Sequence, residues 1–229
     1  LTKLFIFPYI MPSWTLALAW KNFFKNAAVG GATGIFTALT GIATPNWFAY
    51  GPFPIILVTG LHYAPFAYIL IGGILRNMDA NLEEAAVILK TKRLRMFTRI
   101  TIPMVMPAVL STVILVFSSA MSSFAVPQFL GLPVRYYVLT TELYAALQGT
   151  NPGVGYILAI VMIVISVLIM LANQKLIGKR KSYATVTGKS ANVSLFHLKK
   201  ARSLLSVLVL CLVLCMSVVP LISFLLQSL

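Results

Sequence analysis

Five runs of about 20 mostly apolar residues divide the chain, at residues 4–24, 53–75, 104–126, 154–174 and 204–226. A run of that length matches the hydrocarbon thickness of a bilayer when it is helical. Hydrocarbon offers no partner to backbone N–H and C=O groups, so each run must bond internally, which an α-helix does within one segment. The composition agrees: 59% of residues are hydrophobic, 10% are charged, and the mean hydropathy is +0.94. A soluble domain carries about 25% charged residues. The expectation is an all-α, polytopic membrane protein built as a helical bundle.

The net charge of +14 does not point to nucleic acid, and no nucleic-acid partner is expected. Basic residues of membrane proteins gather in cytoplasmic loops and set orientation. Here they concentrate at residues 76–99 and 175–202, the latter with eight basic residues and no acid. With both stretches inside, residues 26–52 and 127–153 fall outside and carry one basic residue, Arg135. Lys21 and Lys25 also fall outside and run against the rule. Membrane lipid is the expected surround of the spans.

The first run holds Pro8 and Pro12, which kink it or mark its start, and Trp14 and Trp20, at an interface or in helix packing. The second run holds His62 and Pro65. An ionisable residue at membrane depth is a functional candidate; the plainer reading is a neutral imidazole bonded to a neighbouring helix. The third run brings Ser118, Ser119, Ser122 and Ser123 to one side at helical spacing. Small hydroxyl residues permit close helix contact, and they could equally line a polar path. Between the third and fourth runs, an amphipathic helix is expected over Val138 to Leu147. Glu142 within it is the sole acid outside the central loop, a site candidate or a plain surface carboxylate. Cys211 and Cys215 lie one helical turn apart, a poor geometry for a disulfide and too few ligands for a metal. They read as packing or lipid-facing residues, and no metal site is expected. The chain opens at Leu1 and closes at Leu229 in apolar sequence, so a piece of a longer protein is expected.

The stretch between the second and third runs concentrates the charge. Asp79, Glu83 and Glu84 are three of the chain's four acids, and Lys90, Lys92, Arg93, Arg95 and Arg99 follow. Leu82, Ala85, Ala86 and Leu89 fall at i, i+3, i+4 and i+7, one stripe of a short helix. Asp79 or Asn81 can cap it, and the two glutamates favour its first turns. The small alanines let another surface approach the backbone. A second short amphipathic piece is expected from Met96 to Ile102, ended by Pro103.

The sequence Glu84-Ala85-Ala86, then Val87-Ile88-Leu89, then Ile100-Thr101-Ile102-Pro103, resembles the EAA loop of ATP-binding-cassette importer permeases. Lys90 stands where that family has glycine; Phe97 and Pro107 also fit. The opening from Pro8 to Trp20 and the segment Tyr183–Lys189 resemble the core opening and the joining segment of fused, two-half permeases of the iron(III)-type branch.

The resemblance implies a type I importer (MetI-like) bundle with a first permease core at 1–178, its EAA loop at 76–107, a basic cytoplasmic linker at 179–203, and the first transmembrane helix of a second half at 204–229. It implies that Asp79, Glu83, Glu84, Ala85, Ala86, Leu89, Lys90, Ile100 and Pro103 form a helix docking on a cytoplasmic ATPase dimer. ATP would be used by that partner and no cofactor bound by this chain, which has no Gly-x4-Gly-Lys-Ser/Thr loop of its own. An extracytoplasmic binding protein would deliver substrate, and the second half would lie in the same polypeptide. Iron(III) leads as substrate by resemblance, with thiamine, polyamine and phosphonate as alternatives. An ion-coupled secondary transporter needs acids within the spans, and none lies in a span core. A membrane enzyme needs a clustered catalytic set, which is absent.

Overall fold

A computed structural model of the chain describes residues 6, 9–29, 33–76, 93–149, 152–181 and 201–228. These are mostly helical, with no strand among them. In order they form α1 (Ser13–Phe24), a 3-10 turn (Ala27–Val29), α2 (Ile35–Thr40), α3 (Asn46–Ala49), α4 (Pro52–Arg76), α5 (Arg93–Met96), a π-helical turn (Phe97–Thr101), α6 (Ile102–Met121), α7 (Ala125–Leu130), a 3-10 turn (Leu132–Val134), α8 (Leu139–Gln148), α9 (Pro152–Lys181) and α10 (Ala201–Ser228).

Four of the five apolar runs fold into helices long and apolar enough to cross a bilayer: Asn46–Gly73, Ile102–Met121, Pro152–Lys175 and Ser203–Leu226. The first run does not form one helix over 4–24. Pro12, extended at φ −58° and ψ 142°, stands at the N-terminal boundary of α1. The 12 residues of α1 reach about 18 Å at 1.5 Å per residue, short of the roughly 30 Å hydrocarbon layer.

The described residues divide into two compact units. The larger draws on Leu1–Pro65, Ser119–Ile163 and Lys200–Leu229. Its core joins Leu16 and Ala17 of α1, Ile55 and Val58 of α4, Val126 and Leu130 of α7, and Met216 of α10, with Trp20, Leu61, Phe129 and Leu212 packed around them. α7 is only six residues long, yet Val126 and Leu130 are fully buried. It is a short plug set among longer helices. Packing in such a core rests on close contact and hydrogen bonds, because lipid tails are as apolar as leucine and burial by itself drives little association.

α10 packs along α1 by one face. Val213, Met216, Ser217, Pro220 and Ser223 are buried and recur at the three- and four-residue steps of a single helix side. Cys211 and Cys215 lie off that face, free and exposed. On α1, Leu16, Ala17, Ala19 and Asn22 are the buried positions. The Asn22 side-chain amide donates to Ser223 Oγ at 3.1 Å.

Aromatic rings close one end of this unit. Trp20, Phe24, Phe36, Trp47, Phe48 and Phe53 stack edge to edge or tilted, with centroids 4.6 to 5.8 Å apart. Trp20 Nε1 donates to the Phe48 carbonyl at 3.1 Å. Asn26 donates to the Thr44 carbonyl at 3.0 Å and also to Asn46 Oδ1. Together these tie the short helices α2 and α3 to the end of α1.

The smaller unit draws on Phe66–Ser118 and Val164–Lys199. Here the expected second short piece ending at Pro103 is corrected. The π turn Phe97–Thr101 leads straight into α6, and Pro103 is that helix's second residue. Proline is tolerated in a first turn, where its missing N–H has no intrahelical partner in any case. α9 begins in the larger unit, where Ile157, Ile160 and Ile163 are each more than 60% exposed, as on a lipid-facing helix.

Candidate functional site

Most of the expected coupling helix, Asp79, Glu83, Glu84, Ala85, Ala86, Leu89 and Lys90, lies outside the described residues. The tail of the motif is described. α5 and the π turn place Arg95 and Arg99 on the exposed side, while Met96 and Thr101 are buried. Thr98 Oγ1 donates to the Arg95 carbonyl at 3.3 Å. Ile100 lies in the π turn, and Pro103 is exposed at the start of α6. A π turn adds a residue to the helical register and recurs at functional positions. Here it separates a basic, solvent-facing segment from the apolar span that follows.

His62 lies in the span half of α4, buried, between two phenol rings. Its ring centroid is 5.6 Å from Tyr9 and 5.0 Å from Tyr63. Tyr63 donates its hydroxyl proton to the Ser119 carbonyl at 3.2 Å. His62 Nδ1 has no hydrogen-bond partner among the described residues. The plainer expectation, an imidazole bonded to a neighbouring helix, therefore lacks its bond at Nδ1.

The four serines do not share one helix face. α6 ends at Met121, so Ser118 and Ser119 are helical while Ser122 and Ser123 lie in the turn beyond it. Carbonyls at this helix end are taken by side chains. Thr140 Oγ1 donates to the Ser123 carbonyl at 2.9 Å, and Tyr63 takes that of Ser119. The structure thus brings His62, Tyr63 and Ser119 together through one hydrogen bond and one ring contact. Glu142 stands apart, exposed in the first turn of α8. That helix, expected over Val138 to Leu147, runs Leu139–Gln148, and Thr141 Oγ1 accepts the Val138 N–H at 2.9 Å. An acid in a first turn complements the helix dipole.

The turn between α7 and α8 carries a feature that the sequence reading treated only as a charge. Arg135 adopts a left-handed conformation, φ 56° and ψ 30°, and is the positive-φ non-glycine residue among those described. That conformation costs an L-residue about 1–2 kcal/mol. Hydrogen bonds hold it there. Arg135 N–H donates to the Leu132 carbonyl at 2.9 Å, Tyr136 N–H to Gly131 at 3.0 Å, and Gly131 N–H to Pro127 at 2.7 Å. Gly131 is required: a Cβ there would sit 2.5 Å from the Tyr136 carbonyl oxygen. Gly51, at φ 96°, donates its N–H to the Leu130 carbonyl at 2.8 Å. The same turn is thereby pinned to the start of α4. No residue pattern foretells a left-handed arginine. The nearest signals were the Gly-x-Pro spacing of Gly131-Leu132-Pro133 and the isolation of Arg135 as a charge.

Among the described residues no three His, Cys, Asp or Glu side chains cluster as a metal centre would require. The fold and its polar contacts are those of a multi-pass helical membrane protein.

The chain belongs to the family of binding-protein-dependent transport system inner membrane components, whose sequence profile matches residues 1–183. It has the MetI-like helical fold of the ATP-binding-cassette importer permeases and is a multi-pass protein of the bacterial inner membrane. It is 28% identical over 187 residues to the ferric transport system permease protein FbpB of Actinobacillus pleuropneumoniae, covering 81% of this chain and 26% of that protein. A putative ferric transport system permease protein FbpB 1 of Haemophilus influenzae is 27% identical over the same length, with 29% of it covered. The putrescine transport system permease protein PotI of Escherichia coli is 27% identical over 97 residues, 42% of this chain and 34% of PotI. The chain spans between a quarter and about a third of the length of these relatives.

Proposed function

We propose that this chain is part of the membrane passage of an iron(III) importer. A separate cytoplasmic ATPase dimer drives it, an extracytoplasmic binding protein loads it, and the chain itself binds no cofactor. The observation that carries the reading is the joint presence of the family match over residues 1–183 and the Glu84-Ala85-Ala86 to Pro103 stretch. Two ferric permeases among the relatives, each aligned over 81% of this chain, support the substrate.

The mechanism follows from the residues. The Leu82, Ala85, Ala86 and Leu89 stripe gives the ATPase a small apolar contact, and Glu84 gives it a carboxylate. Asp79 and Glu83 favour the helix start, and the basic residues from Lys90 onward fix orientation. Closure of the ATPase pair moves this helix as a rigid element, and the spans switch between inward- and outward-facing states. Residues 1–178 form the first permease core and 179–203 a cytoplasmic linker. Residues 204–229 form the first helix of a second half in the same polypeptide, and α10 (Ala201–Ser228) supports that division.

A polyamine permease is the second reading, favoured by the partial match to PotI. Vesicles carrying the complete transporter test both. Uptake of radiolabelled iron(III) that requires ATP and the binding protein is expected. Putrescine uptake without iron uptake overturns the substrate, and uptake driven by a proton gradient without ATP overturns the class.

A further inference from the structure

Arg135 is an exposed cation in a strained conformation, on a turn that the surrounding structure over-determines. It stands midway along the 122–151 connection between two spans. The charges of that whole connection are Arg135 and Glu142. Tyr136 and Tyr137 beside it are 41% and 46% exposed. Its backbone is held by hydrogen bonds on both sides, and the turn begins where the buried plug α7 ends. A strained residue kept in place by its surroundings is an observation from which function can be inferred. A basic residue in a connection expected outside by the charge pattern also runs against the orientation signal.

We propose that the Gly131–Tyr137 turn is the contact point for a carboxylate on the extracytoplasmic binding protein, with Arg135 as the charged contact and Tyr136 and Tyr137 as its rim. The inference rests on the reading that this permease is loaded by such a protein. Arginine binds a carboxylate through a planar fork whose geometry matters, and a fixed backbone removes ordering cost from the encounter. Lipid headgroups are the other anionic partner at this depth. They are recognised by clusters of several cations, whereas a single arginine on a rigid turn suits a partner that presents one carboxylate in one place. The turn follows directly on α7, whose Val126 and Leu130 sit in the core beside α1, α4 and α10. A partner that grips Arg135 therefore pulls on the end of the buried plug.

The test uses the complete transporter in nanodiscs and measures ATPase rate against the concentration of its iron-loaded binding protein. Arg135→Glu is expected to raise the half-saturating concentration about tenfold or more, the scale of a lost interfacial charge pair. Arg135→Lys, which keeps the charge and loses the fork, is expected to fall between. Arg135→Gly relieves the backbone strain, so it is expected to hold or raise the thermal midpoint while still weakening the response. That split separates docking from a structural role. Dose curves for Arg135→Glu and Arg135→Gly that superimpose on the wild type overturn the docking point. An effect of Arg135→Glu that appears only when anionic lipid is present assigns the turn to headgroups and overturns it as well. A wild-type transporter that shows no response to its binding protein sinks the underlying reading and this proposal with it.

Discussion

Asn22 and Ser223 are 201 positions apart in the chain, and the amide of one donates to the hydroxyl oxygen of the other inside the bundle. Ser223 is fully buried and Asn22 nearly so. Ser223 lies beyond residue 183, where the family match ends, so a helix outside the matched region completes the packing of the first helix within it. Interhelical polar contacts in membranes are worth about 0.6–2 kcal/mol. A double-mutant cycle of Asn22→Ala and Ser223→Ala should return a coupling energy in that range, read from thermal or denaturant unfolding in detergent. The paired cysteines Asn22→Cys and Ser223→Cys should crosslink in the full chain. Additive single mutants without a crosslink would show that α10 does not rest on α1.

Gly131 has no room for a side chain. Replacement by alanine puts a Cβ against the Tyr136 and Pro127 carbonyl oxygens, at 2.5 and 2.8 Å, and both are backbone atoms that cannot swing aside. Gly131→Ala should destabilise the protein by roughly 1–3 kcal/mol, the usual cost of overpacking, and lower the yield of folded material. Gly60 faces open space, and Gly60→Ala should cost nothing or gain about 1 kcal/mol from helix propensity. Thermal unfolding of the two variants side by side checks both directions.

His62 is buried, yet its Nδ1 lacks a hydrogen bond among the described residues. Removing an unsatisfied polar atom costs little, so His62→Leu should leave the unfolding midpoint within about 1 kcal/mol of the wild type. If the imidazole faces the path, uptake should fall at unchanged expression. Normal uptake by a stable His62→Leu protein would remove His62 from the path and leave it a packing residue.

How much of this was legible beforehand depended on the range of the interaction involved. Apolar runs are local, so α4, α6, α9 and α10 fall where residues 53–75, 104–126, 154–174 and 204–226 placed them. In the first run the helix starts after Pro12, one of the two outcomes that proline allows, and what length alone misses is that the remaining 12 residues are too short to span. The third run overshot: its helix ends at Met121, and Thr140 and Tyr63, distant in sequence, bond the carbonyls of Ser123 and Ser119 near that end. Pro103 was read as a stop when it is a start, since proline suits a first turn as well as it ends a last one. The Asn22–Ser223 bond, the ring contacts around His62 and the left-handed Arg135 all join residues distant in sequence or depend on backbone geometry, which no periodicity records. The coupling residues from Asp79 to Lys90 rest on helical periodicity and the motif, and lie outside the described residues.

Glu84→Lys should reverse the carboxylate expected to face the ATPase, and a bulky residue such as Ala85→Phe should block close approach of the two surfaces. Both variants should reach the membrane and assemble, yet hydrolyse ATP without a matching gain in uptake. Uptake lowered about tenfold or more is the expected scale for a lost interfacial charge contact. Variants that transport normally would place the coupling contact elsewhere.

The most direct measurement places a single crosslinker at residue 86. With Ala86→Cys in the assembled transporter, a short thiol-reactive bifunctional reagent should join this chain to the ATPase subunit, and the yield should change when ATP closes the ATPase pair. A complex shown to be intact, in which residue 86 never crosslinks to a nucleotide-hydrolysing subunit, would contradict the account.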